Sequence, residues 1–284
     1  MTNQLNLQIY RKRFGASLAA ALTFSSAAAL ADGLNFSDLE FQAGAAAIVS
    51  PKYEGGKRYE VIAVPFAFPG GKGGDDDLTF NDIDSVQYRF VKSGPFEAGV
   101  LGGLWLGRSD SDSARLAGLG DIDAGLVLGG FGAYNLGPVK FTASYHRQVT
   151  DDVGGLVRLR ADATLPVSPG LKFLAGIGTN YADDAYMREH FGVDPAQAAR
   201  SGARLGVFDA NAGFKNVFAG AGFEYEFSER WTAKLYGEYS RLTGDAADSP
   251  VIETKDQFSG LFAITYQFGP SGTATASTDW APQK

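Results

Sequence analysis

Ser144, His146 and Asp162 are the residues whose types and spacing come nearest to a reaction centre. Ser144 and His146 are two apart in an alternating stretch, so a strand places both side chains on one face. Asp162 falls on the same face of the next alternating stretch. A hydroxyl, an imidazole and a carboxylate are the components of an activated nucleophile with its base and orienting acid. Their surroundings point elsewhere. Lys140, Arg158 and Arg160 share that face, and a histidine among fixed charges more often belongs to an ion-pair network. We expect no enzyme and no catalytic residues. Metal chemistry has little to work with: there is no cysteine, and His146 and His190 are the two histidines. The acidic clusters Asp110-Ser111-Asp112, Asp245 with Asp248, and Asp75-Asp76-Asp77 lack the spacing of a calcium loop and read as solvated loops. On an outer surface the first two could hold divalent cations that bridge lipopolysaccharide phosphates. No metal site and no cofactor is expected.

The charges on that face form a larger set. Lys140, His146, Arg158, Arg160, Lys172 and Lys234 alternate with apolar residues, as do Asp162, Glu224, Glu226 and Glu238. Asp121 and Asp123 read as further anions of the same face. Mixed signs at such positions can pair across strands and fill a narrow lumen. The same residues could instead line a small pore. Their balance favours the filled reading.

The elements that hold these residues are strands. In 231–240, Trp231, Ala233, Leu235, Gly237 and Tyr239 oppose Thr232, Lys234, Tyr236, Glu238 and Ser240. The same period of two runs through 139–148, 157–165 and 258–268. The strands run roughly 10–13 residues, the length of a tilted membrane-crossing strand. Aromatics gather at their ends: Tyr134, Tyr181, Phe227, Trp231, Tyr266 and Phe268. Turn-forming stretches at 93–95, 135–138, 167–170 and 228–230 alternate with longer loops at 50–58, 108–120, 183–212 and 243–256. Short turns on one side and long loops on the other predict an all-β, antiparallel up-and-down transmembrane β-barrel, with short periplasmic turns and longer external loops. The strands fall near 41–49, 59–68, 78–83, 86–92, 96–107, 121–134, 138–149, 155–166, 170–182, 213–227, 231–242 and 257–268, about twelve in all. Ten result if Asp82 and Asp84 mark a bulge rather than a turn. Asp194-Pro195-Ala196-Gln197 is a capping box and predicts a short helix over 195–201 inside the longest loop.

The chain begins with Arg11, Lys12 and Arg13, an Ala-rich apolar stretch to Leu30, and small residues at Ala29 and Ala31. This is the grammar of a secretory signal peptide, residues 1–31, cleaved after Ala31. Its loss takes the formal charge from −7 to about −10, which suits no nucleic-acid partner. Beyond it no apolar run approaches the ~18–20 residues of a membrane helix. The barrel then spans 32–268, and 269–284 reads as a disordered periplasmic tail.

Four ordered stretches carry a family resemblance. They are Pro51-Lys52-Tyr53-Glu54-Gly55-Gly56; Leu116 to Asp123, including Gly120 and Asp121; Ala185-Tyr186-Met187 with Phe191-Gly192-Val193-Asp194-Pro195-Ala196-Gln197-Ala198 and Ser201-Gly202; and Arg241 to Ile252, including Gly244, Asp245, Asp248, Ser249 and Pro250. Together they resemble the MipA/OmpV family, also called the MltA-interacting protein family, across about residues 41–268. The resemblance implies an outer-membrane barrel in contact with lipid and lipopolysaccharide. It also implies a non-enzymatic scaffold joining a murein transglycosylase to a peptidoglycan synthase. A small-solute channel, and a surface adhesin acting through the 183–212 loop, are the alternatives. The resemblance transfers no catalytic residues. In one respect the chain departs from the family pattern: sixteen residues follow Phe268.

Overall fold

A computed structural model describes residues 41–69, 77–151, 153–202 and 204–269. The signal peptide and most of the tail predicted above, with Asp75 and Asp76, lie outside the described residues. Twelve antiparallel strands follow in chain order: β1 (Phe41–Pro51), β2 (Tyr59–Pro69), β3 (Leu78–Asp82), β4 (Ser85–Ser93), β5 (Phe96–Trp105), β6 (Gly125–Leu136), β7 (Val139–Gln148), β8 (Gly155–Ser168), β9 (Leu171–Ala182), β10 (Gly213–Glu226), β11 (Trp231–Leu242) and β12 (Asp256–Phe268). They form one sheet in the order β2-β1-β12-β11-β10-β9-β8-β7-β6-β5-β4-β3, curled into a nearly closed barrel. The Ile83-Asp84 turn separates two real strands, so the count is twelve rather than ten. Among the described residues, no ladder joins β2 to β3.

The alternation sorts side chains to the two sides of the wall. Val61 (69% exposed), Ile177 (62%), Leu235 (59%) and Phe258 (59%) point outward. Arg160 and Asp162 on β8 and Tyr236 and Glu238 on β11 point inward, where Arg160 meets the other three. So continuous an apolar outer surface is unstable in water and is what acyl chains cover. Aromatic pairs edge the band at the turn end: Phe96 with Tyr134 (4.8 Å between ring centres), Trp231 with Tyr266 (4.8 Å) and Phe41 with Phe268 (4.4 Å). Tyr181 with Phe214 (5.3 Å) and Tyr239 with Phe258 (5.2 Å) edge it at the loop end. No described helix is long and apolar enough to cross a membrane; the strands do the crossing.

The inner wall is lopsided. Charge lies on β4 and β5, where Arg89 meets Glu97, and on β7 to β11. On β1, β2 and β12 the register sets Ile48 beside Ile62 and Leu261, and Ala46 beside Val64 and Ala263. These are buried or half-buried inward positions, so the middle of this quarter of the wall is apolar.

Three helices lie in the long connections: α1 (Asp184–Phe191), α2 (Pro195–Arg200) and α3 (Gly244–Asp248). Helix α2 is the one expected, closed by the Asp194/Gln197 capping box in both directions (2.9 and 2.7 Å). Helix α1 follows from the same chemistry, because the Asp183 side chain accepts from Tyr186 N (2.8 Å). Strand β6 starts at Gly125 rather than 121. The backbone of Ile122 is instead bridged to Arg108, and Asp121 accepts from Ser109 Oγ (3.1 Å) and Asp110 N (2.8 Å). Asp121 and Asp123 are therefore loop residues and leave the lumen set.

Candidate functional site: the capped mouth of the barrel

The largest fully buried side chains are mostly outside the wall. Phe191, Leu116, Met187, Val193 and Val251 lie in the long connections, at 0–1% exposure. One cluster joins Tyr186, Met187, Phe191 and Ala210 to Leu242, Ala246 and Ala247. A second joins Tyr53, Leu116, Leu119, Val193, Leu205 and Val251. The four long connections thus have their own hydrophobic core. They are a folded cap over the mouth, not the separate solvated loops read from composition.

Hydrogen bonds between connections lock the cap. Arg204 donates to Ala114 O (2.7 Å) and Ala117 O (3.1 Å), Arg200 to Gly118 O (3.0 Å), and Gln197 to Leu119 O (2.9 Å). Arg115 donates to Pro250 O (2.9 Å) and Ser249 to Phe191 O (2.6 Å). Glu253 accepts from Ser113 Oγ (2.9 Å) and Lys57 N (3.0 Å). Two glycines allow the approach. Gly55 (φ +85°) would place a Cβ 2.3 Å from Ile252 Cγ2, and Gly118 (φ +93°) would place one 2.8 Å from the Arg200 carbonyl carbon. Asp245 accepts from Asn211 N (2.9 Å) and Asp248 from Lys255 (3.1 Å), so these carboxylates serve loop structure. No group of described residues is arranged to hold a metal ion.

All four sequence stretches singled out above converge on this cap. Tyr53, Glu54 and Gly55, Gly120 and Asp121, Phe191 to Gln197, and Gly244 to Pro250 come from four separate connections and build one body. The family model described as MltA-interacting protein MipA matches residues 43–268. The chain belongs to the MipA family. It is an outer-membrane β-barrel of that family. No curated protein matches it. Among solved structures it is similar to the outer-membrane-expressed OmpT of Vibrio cholerae, with 11% identity over 81% of this chain and 97% of that one and a TM-score of 0.35. It is also similar to the N-terminal β-barrel domain of Pseudomonas aeruginosa OprF, with 20% identity over 51% and 88% and a TM-score of 0.24. Neisserial surface protein A is a third, with 8% identity over 81% and 97% and a TM-score of 0.25.

Below the cap of this MipA-family barrel, side chains cross the lumen. Arg158 makes a two-pronged contact with Asp84 (3.1 and 3.0 Å), reaching from β8 to the β3–β4 turn. Trp105 Nε1 donates to the same carboxylate (3.2 Å). Arg160 reaches Asp162 (2.6 Å), Glu238 (3.3 Å) and the Tyr236 hydroxyl (3.0 Å). Inward-facing Gly176 and Gly220 make that space, since a Cβ at either would come within 2.9 Å of the Tyr236 hydroxyl. Lys172 joins Glu224 and Glu226 (both 3.1 Å), and Lys140 joins Glu97 (2.7 Å). Lys234 stands opposite Glu224 in register and makes no ion pair among the described residues. Two members of these pairs carry no clear signal in the alternation: Asp84 lies in the β3–β4 turn, and Glu97 opens the Gly-rich strand β5.

The reaction-like trio is rearranged. Ser144 Oγ and His146 Nε2 are 2.9 Å apart, but Asp162 belongs to Arg160. The acid beside His146 is Asp84: its backbone oxygen is 3.2 Å and its Oδ2 3.7 Å from Nδ1. Ser144 is 6% exposed and His146 0%, and Asp84 is already tied by Arg158 and Trp105. An acyl group has no room to approach Ser144 Oγ here, and the arrangement works as a polar clasp between β7 and the β3–β4 turn.

Where the cap meets the clasp there is a cavity of about 250 Å³. Its lining includes Glu54, Trp105, Arg108, Tyr186, His190 and Lys215. Lys215 at the top of β10 pairs with Glu54, and the Tyr186 hydroxyl donates to Glu54 (3.0 Å). Burial alone would raise the Glu54 carboxyl. The charges of Lys215 and His190, with hydrogen bonds from Lys215 and Tyr186, hold it below the usual carboxylate range. His190 stacks on Tyr186 (4.1 Å), and burial drives it down to about 3, so it is neutral. Tyr186 is pushed up by burial and by the Glu54 charge and keeps its proton.

Proposed function

We propose that this barrel is a non-enzymatic, poorly conducting outer-membrane anchor for peptidoglycan-remodelling proteins, a murein transglycosylase and a peptidoglycan synthase. The observation that carries the reading is the interlocked cap, with Phe191, Leu116 and Val251 fully buried over the mouth. The ion pairs crossing beneath it add to the same case and weigh against a solute channel. A barrel that passes nothing through its lumen acts through its surfaces. The family description names an interaction with MltA, which supplies the partner class. In this reading the signal peptide is removed after Ala31, and the cap faces outward among lipopolysaccharide. The short turns and both termini face the periplasm. The partner-binding surface is then the turn end, around Gly94, Gly137, Gly170 and Ser228-Glu229-Arg230.

The test has two arms. Affinity purification of the tagged full-length protein from its own cell envelopes should recover a murein transglycosylase. Planar-bilayer recording of the refolded barrel should show no stable large conductance. Recovery of no murein enzyme, or a steady open pore, overturns the reading.

A further inference from the structure

We propose that the inner face of β2 is a slot for a single acyl chain, which reaches it sideways from the membrane between β2 and β3. The outward residues of β2, Val61 foremost among them, meet lipid as those of the other strands do. Its inward residues below Glu60 are Ile62, Val64, Phe66 and Phe68, with no polar side chain among them. A lumen kept for water is lined with polar groups. A strand apolar on both faces is one covered on both faces. In register beside Ile62 stands Ile48 of β1, and beside Ile48 stands Leu261 of β12. All six side chains are only half-buried. The inner face of β6 is apolar too, but there Val127, Phe131 and Ala133 are buried in one cluster with Leu101, against which Trp105 packs. The face of β2 has the same chemistry without the cover.

The sheet supplies the way in. Strands β2 and β3 are its two edges, and no ladder joins them among the described residues. Pro65 and Pro69 deny the β2 strand two N–H donors, so another strand cannot pair along it in full. A hydrocarbon chain needs no such donors. The lipid-covered outer face of β2 and its inner face are therefore one apolar surface that continues round this edge. The lengths agree. From Ile62 to Phe68 the strand advances about 20 Å, at roughly 3.3 Å per residue. One leaflet of a ~30 Å hydrocarbon core is about 15 Å deep, so an extended acyl chain lies along the strand within that span. The slot is inside the wall, so the inference is independent of what binds at the turn end.

The chain has no cysteine, so a fluorophore can be attached at one introduced thiol. The full-length barrel is refolded into phosphatidylcholine vesicles with the label at one of three places. Leu261→Cys is on the inner face, two strands in from the β2 edge. Thr142→Cys is on the inner face opposite Arg160, and Leu235→Cys is on the lipid-facing wall. The quenchers, which act near contact, are phosphatidylcholine brominated on its chains and free dibromostearate. The Leu261 label should be quenched like the Leu235 label and unlike the Thr142 label. Quenching by the brominated phosphatidylcholine assigns the chain to a membrane lipid; quenching by dibromostearate alone assigns it to a free fatty acid. Ile62→Asp places a charge in the slot and should raise the dibromostearate needed to quench the Leu261 label ~10-fold or more. Unchanged quenching of the Leu235 label in that variant shows that the barrel is still folded and inserted. If neither quencher affects the Leu261 label more than the Thr142 label, or if Ile62→Asp leaves its quenching unaltered, the proposal is overturned.

Discussion

Phe191→Ala should open the cap and leave the barrel standing. Phe191 is 0% exposed and packs with Tyr186, Met187, Ala210, Leu242, Ala246 and Ala247. Truncation of a buried phenylalanine costs about 3–5 kcal/mol, from lost transfer energy and the cavity left behind. The loss falls on the cap, because none of the strand-to-strand ladders depends on this side chain. At about 1.4 kcal/mol per factor of ten, the open fraction of the cap rises roughly 10²–10³-fold or more. Hydrogen exchange by mass spectrometry on the refolded barrel reads this directly. Amides of 184–212 and 244–251 should exchange faster by that factor. Amides of β8 and β11 should keep their wild-type rates. Leu235→Ala is the control: Leu235 is 59% exposed on the lipid-facing wall, so its loss should leave cap exchange unchanged. If Phe191→Ala leaves the 184–212 amides as slow as before, the connections do not share a core and the argument for a sealed mouth fails.

The cap should also loosen in acid. His190 is held neutral at about 3 in the folded cap, against about 6.5 when unfolded, so its contribution is complete above pH ~6.5 and declines as pH falls toward 3. Glu54, depressed by Lys215 and His190 against the effect of burial, adds a loss in the same direction below its unfolded value. Between pH 7 and 5 the cap should lose about 1–2 kcal/mol, seen as faster proteolysis of 183–212; faster proteolysis at pH 8 than at pH 5 would refute this. Arg160→Met leaves Asp162, Glu238 and the Tyr236 hydroxyl without their shared donor, and should cost on the order of 1–3 kcal/mol in urea unfolding from micelles. Ser144→Ala should leave esterase readings at the level of blank micelles, as wild type does, while His146→Ala lowers unfolding stability by about 2 kcal/mol through a buried cavity; a wild-type esterase signal that Ser144→Ala removes would sink the clasp reading.

Much of the wall could be read in the sequence, and little of the cap. The period of two decides which residues face lipid, because each strand residue has only two directions to point. Ten-residue stretches such as 231–240 carry that choice in full. Turn residues then fix the up-and-down order. Arg158, Arg160, Asp162, Lys172, Glu224, Glu226 and Glu238 were therefore assignable to one face of their strands, one by one. Their partners were not. Arg158 meets Asp84 across 74 positions, and no local pattern encodes a contact that depends on how far the sheet curls. The acid beside His146 is hidden from the sequence for the same reason: Asp162 is nearer in sequence, Asp84 nearer in space. The connections showed only polarity and a capping box, which account for α2 and not for a shared core. Their apolar residues, Leu116, Met187, Phe191, Val193 and Val251, are scattered without period across three connections. Burial is a property of the assembled set, so only the tertiary structure could turn loops into a cap. The sequence by itself determined a membrane-crossing barrel and its family; the packing of its connections decided that they share one core.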